Sequence, residues 1–460
     1  MTEWSFCSSI YGGAWATPAM RALFADGPRT KRWLELLALL AEVQADHGIV
    51  PMDAAQDINA TCRSIEADAG FLAECREGYE TSGHSAAGLI AAVARRCSGS
   101  GREWFYFGAT VQDITDTWLM LALRDARGLL IADLERAIAA TASLCRRYRD
   151  TIMAGRTHGQ HGLAITFGFK AAGWLAELRR HRQRFGEAAQ RLDTGQLCGG
   201  AGTLSGMGPK ALAVQAQFLA RLGLREPDMS WTASRDILTE WAHLLVLSTG
   251  TADRIGHEVY NLQRDEIGEL REPPLAEGVG SITMPHKRNP EAAEHIGTLA
   301  RVVRANAALL AECLVHDHER DGRSWKAEWH AVPELTMAAG KAHALLATLL
   351  EGIEVCTGRM RANLDASGGF PFSEQVMLAL APHIGKETAR RAVQRVAAAA
   401  RGNGCSFTAA LVKDREICAC LTKDELDQLS AFDAQTGHCQ ALVDRVLSAE
   451  SGSKGSERLG

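Results

Sequence analysis

The chain has 460 residues, 46% of them hydrophobic and 23% charged, the balance of a soluble globular protein with room for two or three domains and a sizeable core. A formal net charge of −5 gives no electrostatic reason to expect nucleic acid or an anionic membrane as partner. No apolar run reaches the length needed to span a bilayer.

The 12 cysteines are scattered from Cys7 to Cys439 without a CxxC pair, so buried thiols in a reducing compartment are expected. Neither spacing nor clustering suggests a zinc or other metal site. No basic residue precedes Arg21 and no apolar core lies ahead of it, so the N-terminus does not resemble a secretory signal and a cytoplasmic protein is expected.

The first hundred residues read as short helices and loops. Trp33, Leu36, Leu37, Leu40 and Val43 recur at helical spacing, and the Gly and Pro of His47-Gly48-Ile49-Val50-Pro51 stop that helix. Thr81 to Ser85 forms a polar turn ahead of another helix, with Ser82 or Ser85 as its cap. Taken alone, His84 reads as a loop histidine bonded to backbone.

From Thr115 the texture changes to long rods. Leu123, Ala126, Leu130, Leu134, Ala137, Thr141, Leu144 and Tyr148 recur in steps of three and four with no proline between them, which predicts one helix of roughly 30 residues. A second rod follows from Phe167 to Leu192, and a third through Trp241, Leu245, Ser248, Ala252, Ile255, Val259, Leu262 and Glu266. The fourth starts after Pro290 and the fifth after Pro333, running to Ile353. Narrow stripes on five long helices exceed what one compact subunit can cover, so an oligomer is expected. No segment reads as a sheet of any size. Shorter helices follow Gly368-Gly369-Phe370-Pro371, and the tail from Ser451 to Glu457 is polar and Gly/Ser-rich, the composition of a disordered end.

The richest stretch is GSITMPHKRNP at 280–290, where a glycine and two prolines forbid a regular helix while Ser281, His286, Lys287, Arg288 and Asn289 supply a hydroxyl, an imidazole, cations and an amide. It reads as a mobile catalytic loop. Further polar segments are GATVQD at 108–113, GRTHGQH at 155–161, and His318-Glu319-Arg320-Asp321 with Ser324. Separately, Thr110 or Asp113 reads as a helix cap and His158 and His161 as core-edge histidines. Together the segments offer anion donors, a serine and imidazoles, the cast of an acid/base enzyme acting on a carboxylate. No GxSxG elbow accompanies Ser281 and no Walker loop is present; Gly199-Gly200-Ala201-Gly202 reads as a turn where backbones approach.

GSITMPHKRNP resembles the GSSxMPxKxNP signature of the aspartase/fumarase superfamily, with Ile282 in place of the second serine. GRTHGQH and GATVQD resemble that superfamily's two other blocks, the latter with Val111 for a serine. Ile10-Tyr11-Gly12-Gly13 to Pro51, GGAGTL at 199–204 and His318-Glu319-Arg320 look most like its 3-carboxy-cis,cis-muconate cycloisomerase and adenylosuccinate lyase branch. The resemblance implies an all-α fold of three domains, at 1–107, 108–356 and 357–460, whose central five-helix bundle assembles into the twenty-helix core of a homotetramer. Active sites there are shared by three subunits.

It also implies roles. Ser281 matches the base that takes a proton from the carbon beside a carboxylate, giving an aci-carboxylate carbanion. Lys287 and Asn289 match residues that bind carboxylate and stabilise the dianion, with Met284 as scaffold; His158 matches a general acid, and Glu294 the carboxylate paired with it. Thr110, Gln160, Arg320 and Ser324 fall where the family binds substrate, and His84 aligns with a second functional histidine. No cofactor is implied, and the partner is a small dicarboxylate.

Val111 and Ile282 remove two hydroxyls from the pocket, which suits a weakly solvated leaving group. The expected reaction is β-elimination from a C2-substituted succinate to give fumarate, leaning to nitrosuccinate with release of nitrite. The alternative is a 3-carboxy-cis,cis-muconate cycloisomerase. An adenylosuccinate lyase is disfavoured, because the usual Tyr/Arg-rich phosphate motif is not apparent. A non-catalytic structural relative is disfavoured by the retention of Ser281, Lys287, Asn289 and His158.

Overall fold

The computed structural model describes residues 8–274, 281 and 283–452. Helices of eight residues or more are α1 (Asp26–Asp46), α2 (Met52–Ser64), α3 (Ala69–Ser82), α4 (Ala87–Arg96), α5 (Val111–Arg147), α6 (Phe167–Leu192), α7 (Ala211–Arg221), α8 (Asp236–Gln263), α9 (Glu291–Glu312), α10 (Gly322–Gly352), α11 (Thr357–Asp365), α12 (Ser373–Ile384), α13 (Lys386–Gly402) and α14 (Cys439–Gly452). The only strands among the described residues are β1 (Ile152–Thr157) with β2 (Gln160–Thr166), and β3 (Leu270–Arg271) with β4 (Glu354–Val355), two antiparallel pairs. The fold is all-α, as expected. No helix among the described residues is long and apolar enough to cross a membrane.

The five rods form where apolar periodicity places them, with three differences at their ends. Helix α5 runs 37 residues, starting at Val111 because Asp113 accepts the Thr110 N–H at 2.8 Å and covers its first turn. Helix α8 ends at Gln263, short of Glu266. Helix α10 begins at Gly322, with Pro333 inside it. Asp321 sets that earlier start by accepting the Arg323 N–H at 2.8 Å. Pro333 withdraws one hydrogen bond, that of the Trp329 carbonyl, and Trp329 lies on the exposed side where water can serve instead.

Other expectations need correction. Ser82 does not cap α4: it sits in the last turn of α3, its hydroxyl donates to the Gly78 carbonyl at 2.7 Å, and Gly83 at φ +66° closes the helix. Ser85 does not cap α4 either, because the N-cap position is Ala86. The thiols are not uniformly buried; of eleven described cysteines, all free, six are buried and Cys405 and Cys418 are exposed. Ser451 and Gly452 belong to α14, while residues 453–457 of the expected disordered tail, like Gly280 and Ile282, lie outside the described residues.

Two compact units are distinguished by their contacts. The first comprises Met1–Asp133, His181–Ala252 and Ile296–Ala344. Its core is apolar side chains of the long helices, among them Leu123, Leu130, Leu245, Val303 and Leu335, all at most 2% exposed. Trp241 on α8 donates its indole N–H to Thr336 on α10 at 2.9 Å. At its centre Arg235, 1% exposed, is held between Asp116 of α5 (2.9 and 3.1 Å) and Glu328 of α10 (2.8 and 2.6 Å). The guanidinium lies over Trp231, 4.8 Å from the ring centroid.

The second unit comprises Leu134–Arg180, Asp253–His295 and Leu345–Gly460. Val376 and Leu380 of α12 pack with Val393 and Val396 of α13 and with Phe407. Ala154 and Ala164, at the base of the β1–β2 hairpin, pack on Leu364, Phe372 and Phe432.

Candidate active site

Four of the expected site residues belong to the first unit. The chain enters α5 through Gly108 at φ +69°, where a Cβ would stand 2.9 Å from the Gly206 carbonyl oxygen, so only glycine lets the two backbones meet. Asp113, on the first turn, is fully buried and accepts N–H groups from Thr110 (2.8 Å), Cys198 (2.7 Å) and Gly199 (3.1 Å). Burial pushes its carboxyl up to about 6, against the pull of those N–H donors and of nearby Arg320. The GGAG segment is therefore a turn of approaching backbones, stitched to the start of α5 by one carboxylate.

That stitching aims Thr110. Its hydroxyl accepts the Nη1–H of Arg320 at 2.9 Å, while Nε and Nη2 of the same guanidinium are buried without a partner among the described residues. Nε and Nη2 form the edge that grips a carboxylate with two parallel hydrogen bonds. Tyr106, at φ +64°, completes the cluster, and its hydroxyl is pushed well above the usual tyrosine range by burial first and the Asp113 charge second. His84 is exposed just past Gly83. Ser324, on the first turn of α10, donates to the Val315 carbonyl at 3.3 Å.

The remaining candidates belong to the second unit. The GRTHGQH stretch is a two-residue hairpin: Thr157 pairs with Gln160, and His158 and Gly159 form the turn at φ +53° and +75°. These angles are those of a type I′ turn, which matches strand twist and favours glycine at its second position. His158, Gln160 and His161 are exposed at the tip, so the reading of His158 and His161 as core-edge histidines is overturned. Arg156 anchors the hairpin, gripping Glu269 with Nη1 and Nη2 at 2.8 and 2.6 Å, and Asn363 adds a bond to Glu269 at 2.9 Å.

Three residues beyond Glu269, Glu272 anchors the loop that carries Ser281. Its carboxylate receives the N–H groups of Ala292 (3.0 Å) and Ala293 (2.7 Å), capping α9 at its positive end. Arg288 donates to the Glu272 carbonyl at 2.7 Å, and Gln263 accepts the Glu272 N–H at 2.7 Å. The far end of the loop, from Arg288 on, is thus fixed, whereas 283–287 are exposed to solvent. Ser281 Oγ accepts the Met284 N–H at 3.0 Å. Lys287 is exposed and its ammonium has no partner among the described residues; Asn289 reaches Glu291 at 3.3 Å. Glu294 lies exposed on the first turn of α9.

The structure thus groups Thr110 with Arg320 in the first unit. In the second it joins the His158–Gln160 hairpin and the Ser281–Asn289 loop to one short strut, residues 269–272. Sequence reasoning missed Tyr106, Glu269 and Glu272. Nothing in the REPP run at 271–274 signals that the preceding segment carries a helix cap. Among the described residues no group of three or more His, Cys, Asp or Glu could hold a metal ion.

Comparison with known proteins places this geometry. A family model described as Lyase matches residues 14–305, and one described as Adenylosuccinate lyase C-terminus matches 369–446. An N-acetyl-S-(2-succino)cysteine lyase of Dickeya dadantii is 36% identical over 95% of this chain and 96% of its own. A 3-carboxy-cis,cis-muconate cycloisomerase of Pseudomonas aeruginosa is 37% identical over 96% of both. The crystal structure of the 3-carboxy-cis,cis-muconate lactonizing enzyme from Pseudomonas putida superposes with a TM-score of 0.89 at 32% identity, covering 97% of this chain and 100% of that one. The chain belongs to the lyases of the aspartase/fumarase superfamily, in the branch of the 3-carboxy-cis,cis-muconate cycloisomerases and adenylosuccinate lyases.

Proposed function

We propose that the enzyme catalyses β-elimination from a C2-substituted succinate, releasing fumarate and the substituent. The observation that carries this reading is the hydrogen bond from the Met284 N–H to Ser281 Oγ. A hydroxyl that already accepts a backbone N–H at the head of a cationic loop is prepared for negative charge on its oxygen. Ser281 takes the proton from the carbon beside one carboxylate, the electron pair becomes the new double bond, and the C–X pair leaves with the substituent. Lys287 and Asn289 hold that carboxylate as charge develops on it, and Met284 keeps the loop's shape. The unpaired Nε–Nη2 edge of Arg320, steadied by Thr110, receives the second carboxylate, with His84, Gln160 and Ser324 around the substrate. His158, paired with Glu294, delivers a proton to a substituent that needs one.

In this reading domains at 1–107, 108–356 and 357–460 assemble as a homotetramer whose sites each draw on three subunits. Leu247 on α8 and Leu309 on α9, large apolar side chains left 50% and 37% exposed by the single subunit, support the assembly. Two leaving groups follow from different observations. The apolar Val111 points to nitrosuccinate, while relatives named N-acetyl-S-(2-succino)cysteine lyase point to a thioether. Relatives named 3-carboxy-cis,cis-muconate cycloisomerase favour ring closure on carboxymuconate as the second reading.

Purified protein incubated with nitrosuccinate, N-acetyl-S-(2-succino)cysteine, adenylosuccinate, argininosuccinate, aspartate and carboxymuconate, with fumarate or diene absorbance followed, decides among them. Turnover of no succinate derivative sinks the proposal. Ser281→Ala should abolish turnover while gel filtration still gives a tetramer, and substantial residual activity removes Ser281 as base.

A further inference from the structure

A cavity of about 600 Å³ lies within the first unit, among α1, α3 and the beginnings of α5 and α10. It falls in the range of small-molecule pockets and far exceeds the ~10–15 Å³ of the same measure that one water requires. Its walls are two pairs of indoles set edge to face, Trp33 with Trp118 (centroids 5.9 Å apart) and Trp325 with Trp329 (4.9 Å). Arg29 lies 5.3 and 5.9 Å from the centres of the first pair.

The polar atoms on this wall have one character. Asp116 and Glu328 are already bonded to Arg235, and Asp26 is bonded to Arg29. Among the described residues, the buried polar atoms on this wall without a partner are Trp33 Nε1, Arg29 Nε, Ser85 Oγ and Thr115 Oγ1. The first two only donate, and both hydroxyls can. The cavity therefore suits an apolar or aromatic body carrying an acceptor such as a carbonyl.

Its position connects it to the candidate site. Ser85 follows His84 and Trp325 follows Ser324, so two of the four candidate substrate residues of this unit adjoin residues of the cavity wall in the chain, and Thr115 lies on α5 five residues beyond a third, Thr110. We propose that this cavity is the pocket for the substituent that leaves C2, and that the natural substituent is bulky, apolar or aromatic and bears a hydrogen-bond acceptor. The proposal rests on the β-elimination reading. It adds that nitrite, three heavy atoms with no apolar body, leaves this space unexplained.

The test uses the full-length enzyme with 2-(methylthio)succinate, 2-(benzylthio)succinate and N-acetyl-S-(2-succino)cysteine. The two larger substrates should exceed the methyl compound in kcat/KM by at least tenfold. Ala73→Phe, which fills the cavity from α3, should erase that gain while leaving the methyl substrate within twofold. Equal kcat/KM across the series, or a gain that survives Ala73→Phe, overturns the pocket but leaves the elimination standing. Should wild type turn over none of the three, the wider substrate panel decides the elimination reading, and tryptophan fluorescence titrated with N-acetyl-S-benzylcysteine tests the pocket by itself. Saturable quenching in wild type that Ala73→Phe weakens tenfold supports the pocket; no saturable change, or equal quenching in both, overturns it. If Ala73→Phe fails to fold, Thr115→Val replaces it, and a loss of less than twofold in that affinity overturns the pocket.

Discussion

Replacing Arg235 by Met would remove one guanidinium from between two carboxylates that are each 2% exposed. The wild-type trio has a net charge of −1; the variant would hold −2 in the core unless a proton is taken up. Breaking a buried pair by deleting one partner costs about 3–5 kcal/mol. Protonation limits the damage: neutralising a carboxyl of ordinary pKa near 4.3 at pH 7 costs about 3.7 kcal/mol, and ~1.4 kcal/mol less for each unit the pH falls. Both routes give a loss of about 4 kcal/mol at neutral pH. In wild type burial already pushes Glu328 upward against the pull of Arg235, and without Arg235 only the upward push remains. A folded-state carboxyl raised above its unfolded value binds an extra proton between the two, so the variant gains relative stability as pH falls through that window. Urea unfolding followed by tryptophan fluorescence at pH 7 and pH 5, at one ionic strength, should show the deficit shrinking by about 2–3 kcal/mol. A deficit under about 1 kcal/mol at pH 7, or one equal at both pH values, refutes the reasoning.

Glu272→Ala should leave the Ala292 and Ala293 N–H groups without their carboxylate, at a local cost of about 1–3 kcal/mol. Because that carboxylate anchors the loop carrying Ser281, kcat should fall at least tenfold with helical content unchanged; unchanged kcat would separate the anchor from catalysis. Gly108→Ala should lose about 1–3 kcal/mol, from the positive φ and the Gly206 carbonyl beside the new Cβ. Gly128→Ala, whose Cβ meets nothing within 4 Å inside α5, should be neutral or stabilising, and equal urea midpoints for the two variants would contradict the close-approach argument.

The sequence by itself determined the rods and the reactive loop. Apolar periodicity is a local property, and Phe167–Leu192 forms a helix over the whole predicted span because its stripe and its ends are written in one stretch. The non-helical stretch at 283–290 was legible from composition, since Pro285 and Pro290, five residues apart, leave no room for a regular helix between them. Local rules failed where a distant partner, or a weak one, outweighs them. Pro333 reads as a start, yet Asp321 moves that start back to Gly322. The hairpin at 152–166 is too short for periodicity to register, although His158-Gly159 carries the turn signal.

Only the tertiary structure decided which carboxylate serves which backbone. Arg235 meets Asp116 and Glu328 across 119 and 93 residues, and Asp113 reaches Cys198 across 85. The four tryptophans of the cavity come from three separate helices. Buried charges and empty volume are shared between elements, and no segment encodes them alone.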